Sequence, residues 1–108
     1  MIDWVDIQRY CDAIAREFKP RRIVVFGSYA YGQPTKDSGV DVMVEMEFPK
    51  KHKTRPSLAI RKRIAAGFPV DIVVRRPAEI ARRLEKGDWL ITEIMKRGKV
   101  MYEARHSS

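Results

Sequence analysis

The sequence predicts an α/β or α+β fold in which helices cover a β-sheet, because two kinds of apolar pattern alternate along it. Stripes at spacings of three and four residues, typical of helices, alternate with short β-rich runs, and no internal repeat interrupts them. The 108 residues are 44% hydrophobic and 33% charged, which is the composition of a globular protein. We therefore expect one domain over residues 1–108, with a disordered tail at about 104–108.

The first predicted helix carries one apolar stripe at helical spacing. Asp3 is its expected N-cap, and Pro20 ends it. The stripe consists of Trp4, Ile7, Cys11, Ile14 and Phe18. Because Cys11 lies on this stripe, we interpret it as a core residue rather than a nucleophile.

Three β-rich runs, at 21–26, 40–46 and 70–74, are predicted strands. In the second run the side chains alternate between two faces, one with Val40, Val42, Val44 and Met46 and the other with Gly39, Asp41, Met43 and Glu45. Between the first two runs, Ser28 is expected to cap a short helical turn that ends at Gly32.

Three further helices and an edge strand are predicted in the second half of the chain. A helix over about 56–66 has Leu58, Ile64 and Ala65 available to pack, and a helix opened by Pro77 is expected to carry Ile80 and Leu84 inward. Asp88 is expected to cap a further helix that runs through Leu90, Ile91 and Ile94. Lys96 and Arg97 fill the last turn before Gly98, which suits the helix dipole. An edge strand at 99–102 follows, and Trp89 and Tyr102 are expected in the core or against the sheet edge.

The positive charge of the chain is concentrated in one segment. Twenty-two Lys and Arg oppose 14 Asp and Glu, for a net charge of +8, and no acid falls between Phe48 and Val70. The basic residues in that interval are Lys50, Lys51, Lys53, Arg55, Arg61, Lys62 and Arg63. Such a segment attracts phosphate, although a solvated face has the same composition. No aromatic residue alternates with these cations, so a base-stacking groove for nucleic acid is not supported.

Several classes of protein are excluded by composition. A single cysteine excludes an internal disulfide, and the two histidines, His52 and His106, are too few for a zinc cage. No apolar run approaches the ~18 residues of a membrane-spanning helix, so no membrane association is expected. The acidic N-terminus lacks the apolar core of a signal peptide, so we expect a cytoplasmic protein.

Two aspartates interrupt predicted strands where the pattern calls for apolar side chains. Asp41 and Asp71 are costly to bury alone, so each either pairs with an arginine or joins the other on one sheet face. Ahead of them, Gly27 and Ser28 form a strand-to-helix turn that allows close backbone approach and offers N–H and hydroxyl donors to an anion. Carboxylates for Mg²⁺ beside donors for phosphate oxygens are what phosphoryl or nucleotidyl transfer requires.

These residues form a spaced motif. The segment 27–32 reads GSYAYG, ten residues separate Ser28 from Gly39, 39–44 reads GVDVMV, and Asp71 lies within PVDIVV. This order resembles the signature of the DNA polymerase β-like nucleotidyltransferase superfamily: Gly-Ser, a spacer, Asp-x-Asp on one strand and a third Asp on a later strand. The closing segment GKVMYE, residues 98–103, is similar to the end of the minimal nucleotidyltransferase group. The resemblance covers nearly the whole chain.

The resemblance implies a small mixed sheet with flanking helices, as in the palm of polymerase β, and transfer of a nucleoside monophosphate, AMP from ATP in particular, to a hydroxyl. Gly27 and Ser28 would hold the terminal phosphates of ATP or another triphosphate. Asp41 would be a metal ligand, and Asp71 would bind the catalytic ion of a two-Mg²⁺ site and help activate the hydroxyl. In the minimal group the partner is a helical HEPN-type protein, the two acting as toxin and antitoxin. A tyrosine of such a partner is therefore the expected acceptor.

The sequence departs from the signature at Gly39, which stands where the first Asp of Asp-x-Asp belongs. Glycine provides no side-chain ligand, and Asp37 could replace it only through a local bulge, since two strand residues span about 6–7 Å. Three interpretations remain open: a natural inactive member, a deliberately inactivated variant, or weak activity with one metal or a carboxylate from elsewhere.

Two classes of function follow from these residues. One is a nucleotidyltransferase with impaired or lost activity, whose acceptor surface comes from a partner or from a second copy of the chain. The other is a non-catalytic antitoxin module that binds a nucleotide or a partner, and Gly39 favours it. Aminoglycoside modification is disfavoured because a +8 chain repels a polycationic drug, and no groove-reading motif supports direct DNA binding. Tyr29 and Tyr31 border the turn, where each either contacts a ligand or covers the sheet.

Overall fold

The computed structural model describes residues 1–49, 51 and 54–105. Its elements, in chain order, are α1 (Trp4–Phe18), β1 (Arg22–Phe26), α2 (Ser28–Tyr31), β2 (Val40–Glu45), α3 (Pro56–Arg63), β3 (Val70–Arg75), α4 (Pro77–Glu85), α5 (Trp89–Arg97) and β4 (Lys99–Glu103). Lys50, His52 and Lys53 of the basic segment, and residues 106–108 of the expected tail, lie outside the described residues. None of the helices in the described part is long and apolar enough to cross a membrane.

The described strands form one mixed sheet in the order β3-β2-β1-β4. β1 pairs antiparallel with both β2 and β4, whereas β2 and β3 are parallel. A parallel pair requires a crossover connection, and the segment that contains α3 provides it. The expected sheet with flanking helices is confirmed, and it is mixed, as the resemblance implies.

One face of the sheet, which we call the α1 face, packs against α1, α2 and α3. Its buried residues are Ile7, Tyr10, Cys11, Ile14, Ile23, Val25, Tyr29, Val40, Val42, Val44, Ile60, Val70 and Val74. All three valines of β2 belong to this cluster, which confirms the predicted alternation of that strand. Cys11 is fully buried here, as its place on the stripe predicts. The side chain of Asp3 accepts a hydrogen bond from the N–H of Val5, so it caps α1 as expected.

The opposite face, the α4/α5 face, is covered in its middle by α4 and α5. The buried residues there are Val24, Met43, Ile80, Ile91 and Ile94. Beyond this apolar middle, Glu45 is buried, and its Oε1 lies 3.5 Å from Nη1 of Arg22. Nε of Arg22 donates to Oε2 of Glu103 at 2.9 Å. One end of this face is therefore closed by ion pairs.

Several apolar side chains that the sequence places inside are exposed instead. Those predictions are wrong for Leu58, Ala65, Leu84 and Trp89, with Trp89 74% exposed, and Leu90 is exposed beside Trp89. α4 and α5 have nine residues each and share the small apolar middle of one face, which accommodates Ile80, Ile91 and Ile94. Met95 of α5 packs partly against this middle, whereas Leu84, Trp89 and Leu90 lie outside it. α3 buries only Ile60 and ends at Arg63, before the expected 66.

The attachment of α5 to the sheet can be tested at one buried position. Ile94 is 1% exposed, so Ile94→Ala should lower the free energy of unfolding by about 2–5 kcal/mol through lost burial and a residual cavity. Leu90→Ala, which removes the same number of carbons from an exposed position of the same helix, should change it by less than about 0.5 kcal/mol. Urea unfolding measures both. Equal losses would contradict the packing described here.

Candidate functional site

Asp41 and Asp71 lie beside each other on adjacent strands. In the parallel pairing of β2 with β3, Asp41 is the direct register partner of Asp71. Side chains at equal register in neighbouring strands point to the same face of a sheet, so both carboxylates lie on the α4/α5 face. Met43 and Val73, the next partners on that face, are already under the helices. The fold therefore brings together the two acids that the motif singles out, at the end of the face opposite Glu45.

The electrostatics of this pair differ from those of a structural ion pair. Burial raises the pKa of Asp41, and the negative charge of Asp71 raises it further. Within the described residues, neither carboxylate forms an ion pair with a lysine or arginine. The interpretation in which each aspartate pairs with an arginine is therefore not supported. Two adjacent carboxylates without a cation are an arrangement suited to a divalent ion.

Gly27 allows Asp41 to occupy this position. It follows Phe26, the register partner of Asp41 in β1, and has φ 75° and ψ −155°. A Cβ on Gly27 would collide with Oδ2 of Asp41, and the positive φ disfavours any L side chain. The backbone of the turn and the carboxylate are thus in direct contact, so Gly27 belongs to the site for a steric reason.

Ser28 is the first residue of α2 rather than its cap. Gly27 holds the cap position, so the prediction that Ser28 caps this turn is wrong by one residue. The tight backbone at Gly27 starts the helical turn directly after β1, and the hydroxyl of Ser28 is not committed to capping. Ser28 is half-buried, one residue from the contact between Gly27 and Asp41.

Gly39 lies next to the pair and contributes no ligand. Its φ is outside the left-handed region, and a Cβ there would lie 3.3 Å from the carbonyl oxygen of Pro69 and 3.5 Å from its Cβ. A side chain at this position therefore needs only a small adjustment. Within the described residues, no three acidic, histidine or cysteine side chains form a group that could hold a metal, so Asp37 does not take the missing place.

The donor set fits one divalent cation and not two. Mg²⁺ is commonly held by one or two carboxylates together with water and substrate phosphates, which Asp41 and Asp71 could provide. A second ion needs a further carboxylate, which the chain lacks at Gly39. The two-Mg²⁺ site implied by the resemblance is therefore incomplete in this chain.

Arg97 makes a contact that the sequence does not predict, since its place in the last turn of a helix suggests only an interaction with the helix dipole. The guanidinium of Arg97, at the end of α5, lies 4.3 Å from the ring centroid of Tyr31, at the end of α2. The two residues are far apart in the sequence, and no local pattern predicts their contact. Of the two tyrosines after the turn, Tyr29 is buried in the α1-face cluster, and the ring of Tyr31 contacts the guanidinium of Arg97.

Known proteins resemble this chain in sequence pattern and in fold. The family model described as a nucleotidyltransferase domain matches residues 7–99. A solved structure from Sulfolobus solfataricus, assigned as a nucleotidyltransferase, superposes with a TM-score of 0.63 and 18% sequence identity, covering 92% of this chain and 78% of that one. At that identity it shows a shared fold. No curated protein matches the sequence.

The raised pKa of Asp41 predicts a pH-dependent cost to stability. The folded protein binds this proton more tightly than the unfolded chain, whose carboxyl has the ordinary pKa of 3.8. The free energy of unfolding is therefore lowered as pH rises from 3.8 through the raised folded value. Asp41→Asn should raise the urea midpoint at pH 7 and have a smaller effect below pH 3.8. Asp37→Asn, at an exposed loop position, is the control; an Asp41→Asn midpoint at pH 7 no higher than the native one would contradict the electrostatic cost.

Proposed function

The chain belongs to the nucleotidyltransferase domain family, and on that basis we propose that it binds a nucleoside triphosphate together with one divalent cation, with its transfer activity impaired by Gly39. Asp41 and Asp71 would hold the cation, and Gly27 and Ser28 would hold the terminal phosphates. The main support is the register pairing of Asp41 with Asp71, together with the contact between Asp41 and the Gly27 turn.

The chain's own residues suggest how the triphosphate would be held. The backbone at Gly27 approaches Asp41 without an intervening side chain, so a phosphate beside the turn would also lie beside the carboxylates. The hydroxyl of Ser28 would donate a hydrogen bond to a phosphate oxygen. A bound Mg²⁺ would withdraw negative charge from the phosphates and orient them.

The reaction proposed is nucleotidyl transfer to a hydroxyl. The acceptor oxygen forms a bond to the α-phosphorus, and the bond between the α-phosphorus and the oxygen that bridges to the β-phosphate breaks. Pyrophosphate then leaves. The proton of the acceptor passes to Asp71 or to water. Because Asp71 is the more exposed acid of the pair, it is the better placed to meet an acceptor from solvent.

We propose AMP, from ATP, as the transferred group and a partner protein's tyrosine as the acceptor, with this chain acting as antitoxin to a HEPN-type partner in the cytoplasm. The support is the resemblance to the minimal nucleotidyltransferase group. Exposed Trp89 and Leu90 also provide apolar surface that a protein partner could cover. A second copy of the chain is the alternative occupant of that surface.

A non-catalytic antitoxin module is the second candidate, and the missing ligand at Gly39 favours it. Such a module would bind nucleotide or partner and neutralise it without transfer. The two candidates share the binding step and differ only in whether labelled nucleotide reaches the partner.

The binding step is tested by calorimetry with ATP and Mg²⁺. Native protein should bind ATP in the presence of Mg²⁺ and at least about tenfold more weakly without it, because the carboxylates alone repel the phosphates. Asp71→Asn should weaken Mg²⁺-dependent binding by a similar factor, whereas Asp37→Asn should leave it unchanged. An ATP affinity that changes neither on removal of Mg²⁺ nor in Asp71→Asn would refute the proposed site.

The transfer step is tested with α-labelled ATP and a purified HEPN-type partner. Gly39→Asp should raise labelling of the partner at least about tenfold over native protein, because it restores a carboxylate ligand. Gly39→Asn has the same size without the charge and should not. If Gly39→Asp binds ATP but transfers nothing, the non-catalytic module is the better description.

A further inference from the structure

α5 ends beside the turn that begins α2. Lys99, the first residue of β4, pairs with Val25, near the end of β1 where Gly27 follows. The last turn of α5 therefore lies at the same end of the sheet as Asp41 and Asp71, and α5 packs on the face that carries them. Arg97 stands at this point.

Two contacts hold the Arg97 side chain, and the next residue of the backbone packs closely against β1. Its guanidinium lies 4.3 Å from the ring centroid of Tyr31, and Nη1 donates to Oε1 of Glu93 at 2.8 Å. Gly98, the next residue, lies so close to Ile94 and Val24 that a Cβ there would collide with both. α5 therefore ends directly against β1, which limits where the Arg97 side chain can reach.

The guanidinium still has donors to offer. The Arg97 side chain is 55% exposed, and an arginine has five N–H donors, of which Glu93 engages only some. Tyr31 lies three residues after Ser28, the spacing of neighbours on one side of a helical turn, about 5–6 Å apart at Cβ. The cation therefore lies within reach of a ligand that extends from the Gly27–Ser28 turn.

A second cation is held in the same way on the neighbouring side. Nζ of Lys99 lies 4.3 Å from the ring centroid of Trp4, and Trp4 packs edge-on against Tyr29 of α2. Aromatic faces attract cations while leaving their outer N–H groups available to solvent. Lys99 thus adds a second positive charge at α2 on the α1 face, whereas Arg97 ends the helix that packs on the face of the carboxylates.

The charge balance of the proposed nucleotide site calls for such a cation. One divalent ion is neutralised by the two carboxylates that hold it, so the negative charge of a triphosphate is left uncompensated. In a site that lacks a ligand at Gly39, a side-chain cation is the available counter-charge. Arginine suits this position because its planar fork binds two phosphate oxygens at once.

We propose that Arg97, with its guanidinium over the ring of Tyr31, binds the outer phosphates of the nucleoside triphosphate. This contact would position the nucleotide and set the preference for triphosphate over monophosphate. This inference rests on the proposed function, since it assumes that the phosphates lie at the Gly27–Ser28 turn. In this proposal the ring of Tyr31 supports the guanidinium of Arg97, and the carboxylate of Glu93 competes with phosphate for its N–H donors.

The test is the affinity of ATP, ADP and AMP in the presence of Mg²⁺ for native protein and three single variants. Arg97→Ala should weaken ATP binding about tenfold and AMP binding less than about twofold, since a charge-assisted hydrogen bond is lost only with the outer phosphates. Glu93→Gln should tighten ATP binding, because it releases the guanidinium and removes a negative charge beside it. Arg63→Ala is the matched control: it removes an equally charged side chain that pairs with Glu17, with Oε2 at 2.6 Å from Nη2.

The role of the aromatic support is tested in the same assay. Tyr31→Phe keeps the ring face and should bind ATP like native protein, whereas Tyr31→Leu should weaken it toward the Arg97→Ala value. Circular dichroism and urea midpoints establish that each variant is folded.

The outcomes separate this inference from the proposed function. If native protein binds ATP with Mg²⁺ and Arg97→Ala binds it equally well, only the role of Arg97 is overturned. Equal losses for ATP and AMP, or weaker ATP binding by Glu93→Gln, also overturn it. If native protein binds no nucleotide at all, the proposed function fails and this inference fails with it.

Discussion

The register of β2 against β3 is the constraint on which the site depends. Asp41 meets Asp71 because Val40 pairs with Val70, and parallel strands place residues at equal register on one face. A slip of one residue would turn a carboxylate toward the α1 face and expose buried valines. Because Val40 and Val70 are both buried against the helices of the α1 face, hydrophobic packing on one side of the sheet fixes the position of charged groups on the other.

The α4/α5 face is divided into three zones by the same alternation. At one end, Glu45 is the register partner of Arg22 and is neutralised by it, while the middle is apolar and closed by two helices. At the other end, Asp41 and Asp71 have no cationic partner among the described residues. The acidic residues at the two ends of β2 thus differ in their surroundings: Glu45 lies beside Arg22, whereas burial and the negative charge of Asp71 raise the pKa of Asp41.

Gly39 changes the charge balance of the site rather than its shape. The backbone there is ordinary, and the neighbouring strand leaves almost enough room for a side chain. A third carboxylate would add repulsion to a pair in which Asp41 is already hard to ionise, so its absence reduces an electrostatic cost of the folded state. With one carboxylate fewer, the site would hold one divalent ion rather than two, which leaves more of the triphosphate charge for Arg97 to balance.

The local sequence was enough to predict the order of the helices and strands, the alternation of β2, the caps at Asp3 and Asp88, and the motif that singles out Asp41 and Asp71, because these depend on neighbours within a few residues. It also located the missing ligand at Gly39. The packing of the chain was needed to show that the two carboxylates share a face and form no ion pair within the described residues, that Trp89 lies outside the core, and that the guanidinium of Arg97 lies over the ring of Tyr31. Strand order, the area that helices share on a sheet and contacts between distant segments come from the packing of the whole chain, which no local spacing encodes.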